Sequence, residues 1–282
     1  MWPLYLILDK FLKAEDENAD LSNGDHSTFV GASSFFGWPL NIVRSYNSCL
    51  PRSQFVQVPH VSQLHSWDCG LACVSMVLST LGIEHCDLHS LGKLCCTTSV
   101  WTVDLAYLLQ KFSVSFWFFT ITLGVDPNFR VETFYKEQLS NDLVRVDRLF
   151  QQALEAGISI QCRSINGEEI SILILSGKYI AIALVDQYKM DRYWLEDVCV
   201  SGFYGGDSGY TGHYIVVCGY DADRDEFEIR DPASSRKSAR ISLQCLDEAR
   251  KSFGTDEDLI LISLEKKDGM NNSHCNLDNL ET

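Results

Sequence analysis

Pro59-His-Val-Ser-Gln63-Leu-His-Ser-Trp-Asp68-Cys69-Gly-Leu-Ala-Cys73 is the stretch on which the fold turns. From Cys69 onward, Leu71, Val74, Val77, Leu78 and Leu81 recur at the spacing of a helix with one buried face, and Gly82 closes it. Cys69 therefore falls in a first turn, where unpaired N–H groups and the helix dipole favour a thiolate, the reactive form of the side chain. Asp68 reads as the N-cap, accepting from the free N–H groups of that turn. Its charge opposes a thiolate, so the sulfur needs an imidazolium partner. Gln63, six residues upstream of Cys69, can loop back. Its amide and the Cys69 backbone N–H could then donate together to a developing oxyanion.

The partner is legible far downstream. Thr211-Gly-His213-Tyr-Ile-Val-Val-Cys-Gly-Tyr220 puts a histidine at the mouth of a buried strand, behind a glycine. Asp221-Ala-Asp-Arg-Asp-Glu226 is a polar connector of hairpin type, and the next strand, 227–230, ends at Asp231-Pro232. In an antiparallel hairpin the start of one strand lies beside the end of the next. Asp231 should therefore stand near His213 and orient its ring. Cys69, His213 and Asp231, with Gln63 beside them, form the expected catalytic group. Cys73, one turn after Cys69, is expected on the packed side of the helix. The competing reading is a buried thiol and a hydrogen-bonded core histidine.

Other elements follow from pattern. Val56-Gln-Val-Pro59 is extended. Helices are expected over 87–94, 103–111, 143–156 and 243–253, and strands over 114–123, 179–185 and 259–264. The near-continuous apolar run 179–185 suits a central strand, and 187–212 reads as an irregular insertion. Helices first and an antiparallel sheet later give an α+β order. The organisation expected is an extension with an acidic linker over 1–46, one domain over 47–265, and a polar tail over 266–282. Residues 29–43, apolar and aromatic, could pack on the core or cover a cleft.

A formal net charge of −15 argues against nucleic acid or an anionic membrane surface as a general partner. No apolar run approaches the ~20 residues needed to span a bilayer. The apolar start soon meets Asp9, Lys10 and Lys13 and lacks a cleavage site, so it is not read as a signal peptide. Eleven cysteines without a disulfide rhythm suggest reduced thiols in the cytoplasm or nucleus. His85, Cys86, His89, Cys95 and Cys96 lack the paired spacing of a zinc site. Asp221, Asp223 and Asp225 mimic a calcium loop, but Glu226 stands where its glycine should be. Gly202-Phe-Tyr-Gly-Gly-Asp-Ser-Gly209 has no lysine, which suits a flap better than a phosphate cradle.

The Gln-x₅-Cys opening, the helix after it, the later Gly-His strand and the Asp-Pro after the next strand resemble the papain-like superfamily, particularly the peptidases that process double-glycine leaders. That resemblance covers roughly 56–264 and implies a papain-like cysteine-peptidase fold, with N-terminal helices packed on an antiparallel sheet. The run Trp67-Asp-Cys-Gly-Leu-Ala-Cys73 and the opening Met1-Trp-Pro-Leu-Tyr5 are similar to the plant soluble guanylyl cyclase family, the guanylyl-cyclase-domain-containing proteins. This second resemblance implies conversion of GTP to cyclic GMP with magnesium as cofactor. Two alternatives stay open beside it. One is a cysteine hydrolase or peptidase acting on a peptide substrate, with Cys69 as nucleophile and His213 as base. The other is a non-enzymatic adaptor that keeps the cleft.

Overall fold

The computed structural model describes residues 50–83, 87–126, 139–196 and 210–265, all within the unit that runs from Val43 to Thr282. Among the described residues eight strands form one sheet: β1 (Ser53–Phe55), β2 (Phe116–Thr120), β3 (Ile160–Cys162), β4 (Tyr179–Asp186), β5 (Gly212–Asp221), β6 (Glu226–Arg230), β7 (Ala239–Ser242) and β8 (Leu259–Ser263). Their order is β3-β2-β8-β4-β5-β6-β7, and β1 adds to β5. Among these strand pairs β2–β3 is parallel and the others are antiparallel. The apolar run read as a central strand is β4, buried along its whole length between β8 and β5.

Among the described residues the helices are α1 (Cys69–Thr80), α2 (Leu88–Cys95), α3 (Thr102–Lys111), α4 (Leu139–Gln152), α5 (Gly167–Leu175), α6 (Gln187–Glu196) and α7 (Leu243–Arg250). The architecture is α+β, with helices packed on a mostly antiparallel sheet. α1 differs from the one-faced helix expected: every residue from Cys69 to Leu78 is buried. It lies between α2, α3 and β5, so apolar partners meet it on several sides. A Cβ on Gly70 would stand 3.0 Å from both Leu105 Cδ1 and Tyr214 Cδ2. The glycine after Cys69 is what lets the helix start this close to α3 and β5.

Five elements escaped sequence reading: α5, α6 and the short strands β1, β3 and β7. α5 opens with a reciprocal capping box, Glu169 N–H to Asn166 Oδ1 and Asn166 N–H to Glu169 Oε2. The run behind it, Ile-Ser-Ile-Leu-Ile-Leu, shows no clear helical period. α6 occupies the first part of the segment expected to be irregular, and β7 is a four-residue edge strand. The extension 1–46, including 29–43, lies outside the described residues. So do His85, Cys86, the glycine run 202–209 and the tail 266–282.

The β5–β6 pairing carries an irregularity with a purpose. Val217 faces Ile229, but Gly219 faces Glu228, so Cys218 is an extra residue on β5. Side chains opposite one another share a face, and a one-residue slip inverts that relation. Val216 opposite Arg230 puts Ile215, and with it His213 two residues away, on the face to which Asp231 points. Continued without the bulge, the Gly219–Glu228 register would send Asp231 to the opposite face.

Beyond the bulge, β5 accepts β1 at very short range. A Cβ on Gly219 would collide with the Phe55 ring and stand 3.0 Å from the Gln54 carbonyl. Backbone cannot yield as a side chain tip does. Gly219→Ala should therefore cost about 1–3 kcal/mol, read as a lower urea midpoint at unchanged slope.

Candidate active site

Cys69 is the first residue of α1, 5 % exposed. Asp68 precedes it, but its carboxylate does not cap the helix as expected. It turns back and accepts from the N–H groups of Leu64 (3.1 Å) and His65 (3.0 Å) and from His65 Nδ1 (3.0 Å). The physical reason is local: the loop 64–67 folds over Asp68 and offers nearer donors than the first turn does. Asp68 thus fixes the loop, and its charge is spent on that loop's donors.

His213 and Asp231 meet as the hairpin argument expected. Nε2 of His213 donates to Asp231 Oδ1 at 2.7 Å, with His213 at 3 % and Asp231 at 6 % exposure. With Nε2 committed, Nδ1 is the ring nitrogen left to serve Cys69. Burial disfavours the charged ring, but the hydrogen bond to Asp231, then that to Cys69, and their charges outweigh it, raising the His213 pKa to about 9. Burial also acts against the Asp231 carboxylate. Its bond and attraction to His213, the Ala233 N–H (2.8 Å) and the charge of His60 together hold it below its usual value. The pair is ionised at neutral pH.

Gln63 is brought to the same place by its backbone, whose N–H donates to the Pro232 carbonyl at 3.0 Å. Its side-chain amide donates to the His65 carbonyl at 2.8 Å, and its Oε1 is buried without a partner. Sequence reading missed two neighbours. His60 Nε2 bonds the main-chain carbonyl of Asp231 at 2.9 Å. Asp191 on α6 lies within electrostatic range, its pKa raised by partial burial and by the charge of Asp231, with His213 opposing. A histidine beside Pro59 carried no distinguishing signal, and Asp191 was hidden in a segment read as irregular. Cys73 is wholly buried, and burial first, then the charges on Cys69 and Asp231, push its thiol well up. It faces the packed interior, as its position one turn on suggested.

A sulfur at a helix start, an imidazole and a carboxylate in sequence can carry nucleophilic chemistry. They do not by themselves identify a substrate. Whole-chain comparison does more. A family model described as guanylylate cyclase matches residues 58–262.

This chain belongs to that family.

It is 57 % identical over 272 residues to Guanylyl cyclase 1 of Arabidopsis thaliana, covering 96 % of this chain and 99 % of the relative. Among solved structures it is similar to a C39-like peptidase from Bacillus anthracis (14 % identity, TM-score 0.44, covering 76 % of this chain and 99 % of that one). Xylellain, a cysteine protease from Xylella fastidiosa, is also similar (11 %, TM-score 0.43, 88 % and 94 %). So is the peptidase domain of Streptococcus ComA (15 %, TM-score 0.38, 73 % and 98 %).

Truncating one partner of a buried ion pair strands the other, at a cost of about 3–5 kcal/mol. Asp231→Ala should lose that much in urea unfolding at pH 6. The sign with pH follows from the two shifts. The raised His213 pKa contributes stability that is full below pH 6.5 and lost as pH rises through about 9. The lowered Asp231 pKa contributes stability present above 3.8 and lost as pH falls through its native value. The gap between native protein and Asp231→Ala should therefore be widest near pH 5–6 and narrow toward pH 10.

Proposed function

We propose that this chain converts GTP to cyclic GMP and diphosphate. The observation that carries the reading is the match along nearly its whole length to a relative named Guanylyl cyclase 1. In that reaction the ribose 3′-hydroxyl attacks the α-phosphorus, gives up its proton, and the bond to diphosphate breaks. With a pKa near 9, the His213 ring is an imidazolium at neutral pH. That suits it to stabilise charge building on phosphoryl oxygens, or to donate a proton to the leaving group, rather than to act as the base. Asp231 holds the ring in that state.

Magnesium is the cofactor that the resemblance implies. Among the described residues no group of three or more His, Cys, Asp or Glu is arranged to hold a metal ion, so they supply no acidic cage for it. Nucleotide-bound magnesium is commonly held by one or two carboxylates and the phosphates themselves. Seven cysteines, all the described ones, are free thiols, which accords with work in the cytoplasm or nucleus. Among the described residues no helix is long and apolar enough to cross a membrane.

The geometry of the site favours a second reading, a cysteine hydrolase or acyl-transferase acting on a peptide. The Cys69 sulfur would add to a carbonyl while His213 relays the proton to the leaving amine. The Cys69 backbone N–H and the Gln63 amide would receive the oxyanion.

One preparation separates the two. Purified protein given GTP and magnesium should make cyclic GMP above a heat-killed control. His213→Gln should lower the rate about 10²-fold or more, the scale of a lost charge-stabilising donor, and Cys69→Ala should leave it within a few-fold. No product above the control overturns the cyclase. In parallel, iodoacetamide mapping at neutral pH tests the thiol: preferential labelling of Cys69 that disappears in His213→Ala supports the hydrolase. Labelling no faster than the other thiols removes it.

A further inference from the structure

A basic loop borders the candidate site. Pro232-Ala-Ser-Ser-Arg236-Lys237-Ser238 joins β6 to β7 and leaves the sheet directly from Asp231. β7 returns beside β6, Ala239 against Ile229, and β6 lies beside β5, Arg230 against Val216. The loop therefore emerges at the end of the sheet where His213 stands near the start of β5. Its first half is bonded to the site. The Ala233 N–H donates to Asp231 Oδ1 (2.8 Å), the Ser234 N–H to the Asp231 carbonyl (3.1 Å), and the Gln63 N–H to the Pro232 carbonyl (3.0 Å). The Arg236 N–H then donates to Ser234 Oγ at 3.1 Å, which ties the basic pair to the anchored part.

The loop's charge runs against that of the chain. Acidic side chains outnumber basic ones 38 to 23, yet residues 232–238 carry two cations and no carboxylate. The arginines on the flanking strands are neutralised, Arg230 by Glu228 (2.8 Å) and Arg240 by Asp221 and Glu226 (3.6 and 3.8 Å). Arg236 and Lys237 are exposed and, among the described residues, stand in no ion pair. On so acidic a protein, two cations left unpaired beside a reaction site keep their charge for a ligand. With the His213 imidazolium they put three positive groups at one end of the sheet. Two strand spacings, roughly 10 Å, separate β5 from β7, a span that long basic side chains and a chain of phosphates bridge together.

We infer that this loop is a phosphate-chain subsite: Arg236 and Lys237 hold the terminal phosphates of the nucleotide while its α-phosphorus stands at His213. The inference rests on the cyclase reading for its substrate, and it names the residues that receive the diphosphate end. A guanidinium grips two phosphate oxygens at once, and an ammonium acts as a point charge beside it. These contacts fall on oxygens remote from the breaking bond. Their grip is therefore similar before and during reaction, and it belongs to KM more than to kcat.

Inorganic tripolyphosphate is a probe that needs no turnover. Calorimetric titration of the full chain should show saturable binding that weakens as salt is raised. Arg236→Gln combined with Lys237→Gln should weaken it about tenfold or more, at an unchanged melting temperature because both side chains are exposed. Arg224→Gln removes one charge from the exposed connector at the far end of the hairpin, and should leave the affinity within about twofold. With GTP, the double variant should raise KM about tenfold and hold kcat within a few-fold. Tripolyphosphate that the native protein does not bind, or that the double variant binds equally well, overturns the inference. So does a loss in Arg224→Gln as large as in Arg236→Gln, which would be the effect of net charge alone. A chain that shows the tripolyphosphate loss but makes no cyclic GMP overturns the cyclase reading and leaves the phosphate subsite standing.

Discussion

The contact between the His213 ring and the Asp231 carboxylate is the constraint to which the surrounding structure is fitted. Two charges that deep would be unfavourable apart, and their attraction offsets the loss of water only when geometry and extra donors are right. Each supporting group serves that end. Ala233 N–H gives Asp231 Oδ1 a second donor, and His60 holds its carbonyl. Gln63 N–H closes on Pro232, and Arg230, itself buried, reaches across to the Val58 carbonyl at 2.9 Å. The Pro59–Cys69 loop is thereby tied to the end of β6 at several points, and the start of α1 is delivered to the ring. Cys69 is placed by its neighbours' bonds more than by its own.

Family and geometry speak to different levels of function. Relatedness names a nucleotide reaction. The side chains that can be seen form a thiol–imidazole–carboxylate series. The two are compatible if a site once suited to forming a thiolate–imidazolium pair now uses the imidazolium alone. A protein of net charge −15 repels a nucleoside triphosphate at long range, so under the proposed reading a positive His213 ring would matter more here than on a neutral surface.

Much of this was legible in the chain. The helix after Cys69 announced itself by period, the central strand by its unbroken apolar run, and the His213–Asp231 approach by hairpin logic alone. The shortfalls have physical causes. Asp68 looked like a cap because residue type and position fit, but a tight loop supplied competing donors that no spacing rule anticipates. α1 showed a one-sided pattern because its stripe of Leu and Val stood out, while Gly70 and Ser75 do not register as apolar and Ala72, Cys73 and Met76, off that stripe, are buried just as fully. α5 carried its start signal in Asn166 and Glu169, but the apolar run behind it is buried on more than one side and so has no period.

The extra residue at Cys218 makes the count of residues between His213 and Asp231 behave like a reading frame. Side chains on a strand alternate, so what matters there is parity and not length. A connector such as 222–225 could grow or shrink by exchanging one turn for another and still return the chain to the sheet. Losing a single residue from β5 would leave the composition of the hairpin almost untouched, yet it would turn the carboxylate to the sheet's other side. Among relatives of this chain, insertions and deletions should accordingly gather in the connector or outside the hairpin, and any within its two strands should come in compensating pairs.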